Sequence, residues 1–303
     1  MRPRVTVTTA TLPPAHPFPR PAPWLPSGPR RVRGARRPWR VKDGAGGGVC
    51  PGTGAGRATI GGMADIRGVL FDFYGTLARA VAWGETHEEI FARRGLHGPG
   101  AAWGSQWVGG AVDGEEHVEH SSSRDAYTAW ELERLRSRAR ACGVGDDELE
   151  ALVADLHRAT KTYTLAPYDE VADVLVELRR RGLVLAVCSN WDWDLERAVA
   201  GVGLDGLVDA IVTSARAGAR KPHRRIFDHT LDRIGLVAPE TLFVGDTWEP
   251  DVVGPLAAGM RPVHLWRDDQ AERAREVGAE AMTPPLPEGV VRATDLRAVL
   301  DLV

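Results

Sequence analysis

Cysteine is scarce in this chain: the three present among 303 residues, Cys50, Cys142 and Cys188, are odd in number and widely scattered. That excludes a disulfide framework and a zinc knuckle, and fits a reducing cytoplasm. Long apolar runs are missing as well. The longest, Gly182 to Cys188, is strand-sized and far below the roughly eighteen residues of a membrane span. No membrane partner is expected. Aromatic residues make up only 7%, and the apolar fraction of 43% is ordinary for a soluble globular protein. The length predicts two compact units plus a tail.

Acid is almost absent from residues 1–62, which carry eleven Lys or Arg against the single Asp43, with eleven of the 21 prolines and the Gly-rich run at 44–48. Such a segment buries no core and is expected to be disordered. A basic arm, a transit peptide and sequence upstream of a true start at Met63 are the competing explanations, and the last fits best: an Arg/Pro/Gly/Ala-rich lead is what GC-rich DNA gives when read through. The net charge of −3 therefore divides into a tail near +10 and a body near −13. An acidic body argues against nucleic acid as substrate.

The body is organised around Val69-Leu70-Phe71-Asp72-Phe73-Tyr74-Gly75-Thr76-Leu77. An apolar strand leads into Asp72, and Gly75-Thr76 turns the chain. From Arg79 to Ala166 the pattern is helical with no convincing strand: Glu85–Arg94, Arg124–Ala141 and Asp146 to about Tyr163. Trp103 and Trp107 read as packing between helices, and His87, His97, His117 and His120, lacking metal spacing, as surface residues. After Pro167 helix and strand alternate: a helix at Asp169–Arg181, strands at Leu183–Cys188, Ala210–Thr213, Thr241–Val244 and Arg261–Trp266, with helices between. This predicts an α/β fold, a doubly wound parallel Rossmann-like sheet with an inserted α-helical cap. Core segments are expected at 63–78 and 167–303, the cap at 79–166.

Chemistry-bearing residues stand where those strands end: Asp72, then Ser189 and Asn190, then Lys221-Pro222, then Gly245-Asp246 with Asp251. Each has a bland reading alone, as helix cap, solvated cation or turn. Together they form a carboxylate nucleophile, a hydroxyl and ammonium for an anion, and acids for a cation. That is the set phosphoryl transfer needs.

In this order and placement the residues resemble the haloacid dehalogenase superfamily, in its branch with a helical cap after the first strand. The resemblance covers about Ile66 to the C-terminus. It implies that Asp72 attacks and is transiently esterified, steadied by Thr76 and backbone N–H groups near Phe73 and Tyr74. Ser189, with Asn190 beside it, and Lys221 would hold the substrate anion. Asp72, Asp246 and Asp251 would ligate Mg²⁺, which neutralises charge so that a carboxylate can approach a phosphate.

One position departs. The family's phosphatases usually carry an Asp two residues after the nucleophile, as general acid and base; here it is Tyr74, whose phenol has an ordinary pKa of about 10. Losing a general acid typically costs about 10² to 10⁴ in rate. The Asp-x-Tyr-Gly-Thr-Leu pattern is similar to that of the family's 2-haloacid dehalogenases, in which halide leaves unprotonated and no metal is needed. Against that stands Asp246, where those dehalogenases have no acid. A dehalogenase also needs a cationic clamp, with Arg79, Arg93, Arg134 and Arg136 as candidates. Mg²⁺-dependent phosphatase on a small phosphorylated metabolite ranks first, dehalogenase on a halogenated acid second, and a catalytically weak phosphate-binding or regulatory protein third. Trp191 reads as pocket wall or core, Asp192 as a helix cap. Nothing in the pattern sets the oligomeric state.

Overall fold

The computed structural model describes residues 65–104, 111–268 and 285–303. The basic extension, Cys50 and Trp107 lie outside the described residues. Strand β1 (Gly68–Phe71) is buried along its whole length, as its apolar run predicts. Strand β2 (Ala78–Trp83) leads out into helices α1 (His87–Arg93), α2 (His97–Trp103), α3 (Arg124–Ala141) and α4 (Asp146–Ala159), and β3 (Tyr163–Pro167) leads back. Next come α5 (Val171–Arg180), β4 (Val184–Ser189), α6 (Leu195–Gly201), β5 (Ala210–Thr213) and the short α7 (Ser214–Ala217). The described order ends with α8 (Arg224–Ile234), β6 (Thr241–Gly245), α9 (Gly254–Ala257), β7 (Arg261–Leu265), β8 (Val291–Ala293) and a 3₁₀ turn at Leu296–Asp301.

Six strands form one sheet in the order β5-β4-β1-β6-β7-β8, with every neighbouring pair parallel. The chain winds from β1 through β4 to β5, then crosses back to β6. Strand order therefore reverses beside β1, the kind of switch point at which ligands bind beyond the carboxyl ends of strands. Successive side chains fill opposite faces. Val69, Phe71, Val187 and Val244 pack with Leu175 of α5 and Leu195 of α6, while Leu70, Cys188 and Phe243 pack with Ile226 and Phe227 of α8. No helix among the described residues is long and apolar enough to cross a membrane.

The insert differs from its all-helical reading. Strands β2 and β3 pair antiparallel from Ala78↔Pro167 to Trp83↔Tyr163, with an irregularity between Ala80 and Ala82, so a ribbon opens and closes the insert. Its strands are half exposed and find each other across some eighty residues, which leaves no local periodicity to read. Helix α4 accordingly stops at Ala159, before β3. The helices beyond the ribbon own a separate apolar cluster that includes Ile90, Phe91, Trp103, Leu135, Leu152 and Leu156. Trp103 packs there, as expected. Two histidines do not stay at the surface: His87 and His117 are buried. Burial, helped by the nearby Arg138 charge, lowers the His87 pKa to about 4, and its Nδ1 accepts from Trp103 Nε1 at 3.2 Å. His117 stacks on Trp130 at 5.1 Å.

One five-residue strip of the core receives the insert. Asn190 Nδ2 donates to Asp113 (3.0 Å), Trp191 meets the Tyr163 ring (5.6 Å), and Asp192 pairs with Lys161 Nζ (2.7 Å). Trp193 meets Tyr127 (6.4 Å), and Asp194 accepts from Arg124 Nη2 (2.5 Å). Asp192 is thus not the cap of α6. Asp194 holds that position, with its N–H donating to Asp192 Oδ1 at 3.3 Å, while Asp192 Oδ2 pairs with the insert.

If the insert has its own core, Leu135→Ala should cost about 2–5 kcal/mol. Urea unfolding should register that loss, and limited proteolysis should cut first between Gly84 and Thr162. Simultaneous cleavage throughout the chain would count against a separate core.

Candidate active site

Five of the residues picked out by sequence meet at the carboxyl edge of the sheet. Asp72 leaves β1 buried, and its Oδ1 accepts from Ser189 Oγ at 2.8 Å and from Lys221 Nζ at 2.7 Å. The same ammonium donates to Asp251 Oδ1 at 2.6 Å. Lys221 is 1% exposed, so neither ion pair is diluted by water. Asp251 is held from its other oxygen by the Thr247 N–H at 2.9 Å. Asp246 completes the group: Asp72, Asp246 and Asp251 offer oxygens that all lie within 4.8 Å of one another.

Two glycines make this packing possible. Gly75 has φ +85°, and a Cβ there would lie 2.3 Å from Asp246 Oδ2. A Cβ on Gly245 would meet the Asp251 carboxyl at 2.4 Å. Asn190 touches neither Asp72 nor the cluster directly. It brackets Lys221, its Oδ1 accepting from the Lys221 N–H (2.7 Å) and its Nδ2 donating to the Lys221 carbonyl (3.0 Å). The Lys221–Pro222 peptide that follows is cis.

The remaining candidates are more peripheral. Phe73 is buried in the core and meets Trp191 edge-on at 5.5 Å, which makes Trp191 a packing partner. Tyr74 is half-buried, its ring 5.8 Å from Trp83. Thr76 is fully buried, makes no side-chain hydrogen bond to Asp72, and has its carbonyl held by Arg267 Nη2 at 2.8 Å. The four arginines considered as a clamp are engaged elsewhere. Arg79 lies over the Tyr168 ring, Arg93 pairs with Glu85 and Asp155, Arg134 with Glu115, and Arg136 with Glu150 and Glu133.

Sequence reasoning missed the residues that join the insert to this edge. The Gly114 N–H donates to the Lys221 carbonyl (3.2 Å), Arg220 N–H to Glu115 (3.0 Å) and His117 N–H to Gly218 (2.7 Å). Asp113 accepts from Arg220 Nη2 at 3.0 Å as well as from Asn190. Main-chain pairing of this kind has no residue signature.

Burial and the neighbouring acids raise the pKa values of Asp246 and Asp251. Burial, then the charges of Asp72 and Asp251, raise the Asp246 pKa well above the ordinary carboxylate range. Burial raises Asp251 to about 6 despite the opposing Lys221 charge. Burial alone would depress Lys221, but Asp251 and Asp72 outweigh it and raise its pKa. Were all three carboxylates ionised beside the one ammonium, two negative charges would be left over, and a hard divalent cation with oxygen ligands would balance them.

Residues 66–259 match the family described as haloacid dehalogenase-like hydrolase. The chain belongs to that family. The human haloacid dehalogenase-like hydrolase domain-containing protein 3 is 31% identical over 176 residues, 57% of this chain and 66% of that protein. Phosphoserine phosphatase of Thermus thermophilus is 34% identical over 149 residues, 48% of this chain and 58% of the relative. The chain thus spans less than two thirds of either protein's length. The (S)-2-haloacid dehalogenase of Pseudomonas sp. strain YL is 28% identical over 243 residues, 78% of this chain and 94% of the dehalogenase.

Gly75→Ala should be poorly tolerated by this fold. The positive φ and the Asp246 contact together predict a loss of about 1–3 kcal/mol in a urea titration. Unchanged stability would mean that Asp246 does not pack over Gly75.

Proposed function

We propose that the chain is a divalent-cation-dependent phosphatase for a small phosphorylated metabolite, with Asp72 as nucleophile. The observation that carries this reading is Asp246, an acid brought within ligand distance of Asp72 and Asp251. Asp246 stands half-buried against the buried Asp72 and Asp251, and a cation shared among the three would offset their mutual repulsion. Asp72, Asp246 and Asp251 would hold Mg²⁺, which when bound neutralises the charge between carboxylate and phosphate.

The chain's own residues do the rest. An Asp72 carboxylate oxygen bonds to phosphorus as the bond to the leaving oxygen breaks, giving an acyl phosphate on Asp72. Water then attacks that phosphorus, releasing phosphate and regenerating the carboxylate. Lys221 and Ser189, already directed at Asp72, move their hydrogen bonds to the phosphoryl oxygens. Tyr74 supplies no efficient acid near neutral pH, so the leaving group departs as an anion. Acyl and aryl phosphates fit that requirement. The insert, seated on Asn190–Asp194, acts as the cap that bounds the leaving-group side.

Dehalogenation is the second reading. Tyr74 favours it, and so does the coverage of the Pseudomonas dehalogenase. It asks that Asp72 attack carbon with chloride leaving, a step that a cation on Asp72 would slow.

Assays with p-nitrophenyl phosphate and with L-2-chloropropionate, each in Mg²⁺ and in EDTA, separate the two. The expected result is phosphate release that needs Mg²⁺ and is abolished in Asp72→Asn. Chloride release indifferent to EDTA would overturn the ranking. Tyr74→Asp should speed alkyl phosphate hydrolysis by about 10² or more if the missing acid limits the rate.

Protons and cation compete for the same oxygens. With Asp251 raised to about 6, Mg²⁺ affinity should fall as pH drops through that value. Thermal shifts on adding Mg²⁺ should accordingly be larger at pH 8 than at pH 5.

A further inference from the structure

The strand that delivers Asp246 is braced from its far side. Gly245, His264 and Arg292 stand side by side in register across β6, β7 and β8. His264 is only 2% exposed, and both of its ring nitrogens are used. Arg292 Nε lies 3.0 Å from Nδ1, and Nε2 lies 3.1 Å from the main-chain carbonyl oxygen of Asp246. A guanidinium only donates and a carbonyl only accepts. Nδ1 must therefore be the acceptor, and the ring proton sits on Nε2 and points at Asp246. Trp248 and Trp266 flank the ring, each at 5.4 Å.

We propose that His264, oriented by Arg292, is a positioning residue that holds Asp246 in the acidic cluster. The need is electrostatic. Lys221 binds Asp72 and Asp251, while Asp246 sits against both and is pushed outward by their charge. Asp246 also lies one residue beyond the end of β6, where strand pairing no longer fixes the peptide. The His264 bond fixes that peptide, and Gly75 on the other side gives the carboxylate a floor. The arrangement matches the outer-shell logic of metal sites, in which a group that touches no metal aims one that does. The inference rests on the cation reading of the cluster but not on which substrate is hydrolysed.

Mn²⁺ binding to the full-length protein, followed by the EPR signal of the free ion, provides the test without any turnover. His264→Met removes the donor while keeping apolar bulk, and His264→Gln keeps an N–H on a side chain of similar reach. The dissociation constant for Mn²⁺ should rise about tenfold to a hundredfold in His264→Met and recover in His264→Gln. An unchanged constant in His264→Met, with the wild type binding normally, overturns the proposal alone. Equal weakening in both variants also overturns it, because the imidazole would then be a packing element. Failure of the wild type to bind Mn²⁺ removes the cation reading and this one together. A long-range ¹H–¹⁵N spectrum of the wild type adds a check that depends on neither metal nor variant: the proton is expected on Nε2, and a proton on Nδ1 overturns the assignment.

Discussion

A single ammonium, that of Lys221, is shut away from water between two carboxylates, and the strand ends of the sheet are arranged around it. A charge so buried is tolerable only if its partners are close and themselves held in place. They are: Asp72 by β1 and Ser189, Asp251 by the Thr247 N–H, and Lys221 through both its main-chain groups by Asn190. These groups come from four strand exits: Asp72 from β1, Ser189 and Asn190 from β4, Lys221 from beyond β5, and Thr247 and Asp251 from β6. The parallel sheet supplies this naturally, since all six strands point their carboxyl ends to one edge. Removing the ammonium would leave Asp72 and Asp251 facing each other in a dry site, so the pair cannot be treated as one contact among many.

The loops that hold Ser189 and Lys221 are also the ones that the insert grips. Asn190 through Asp194, directly after Ser189, touch Asp113, Tyr163, Lys161, Tyr127 and Arg124 in turn. Residues 114–117 pair by main chain with 218–221, directly up to Lys221. Any displacement of the insert is therefore transmitted to the two groups that contact Asp72. The insert and the loops of Ser189 and Lys221 are thus mechanically one unit in this chain. The contacts are of mixed kind, rings, ion pairs and peptide bonds, so no single change of salt or pH would release them all.

The sheet was legible because a strand buried on both faces has to be written in consecutive apolar residues, as in Val69–Phe71 and Leu185–Cys188. The convergence of candidate residues was legible for a related reason: Asp72, Ser189 and Asp246 stand where such runs stop, whereas Lys221 and Asp251 follow no run and were picked out by order and placement. What escaped was long-range. The β2–β3 ribbon joins half-exposed segments on either side of four helices, and β8 is three residues long. The burial of His87 and His117 depends on Trp103 and Trp130, aromatic partners that local periodicity does not pair with them. Asp192 does bond the backbone at the start of α6, two residues before its N-cap position, but its pairing with Lys161 is long-range and left no mark in the sequence.

Tyr74 and Asp246 pull the chemistry in different directions only if each is considered alone. A cation shared by Asp72 and Asp246 withdraws electron density from the nucleophile, which handicaps attack on carbon. Attack on a phosphate suffers less, because there the repulsion between two anions is the larger obstacle and the cation removes it. On the proposed phosphatase reading, Tyr74 would then limit which phosphates react. Without an acid two residues from the nucleophile, the bond to the leaving oxygen breaks readily only when that oxygen is stable as an anion. Phosphates of acids and phenols satisfy both residues together, whereas simple alkyl phosphates and halogenated acids each satisfy one.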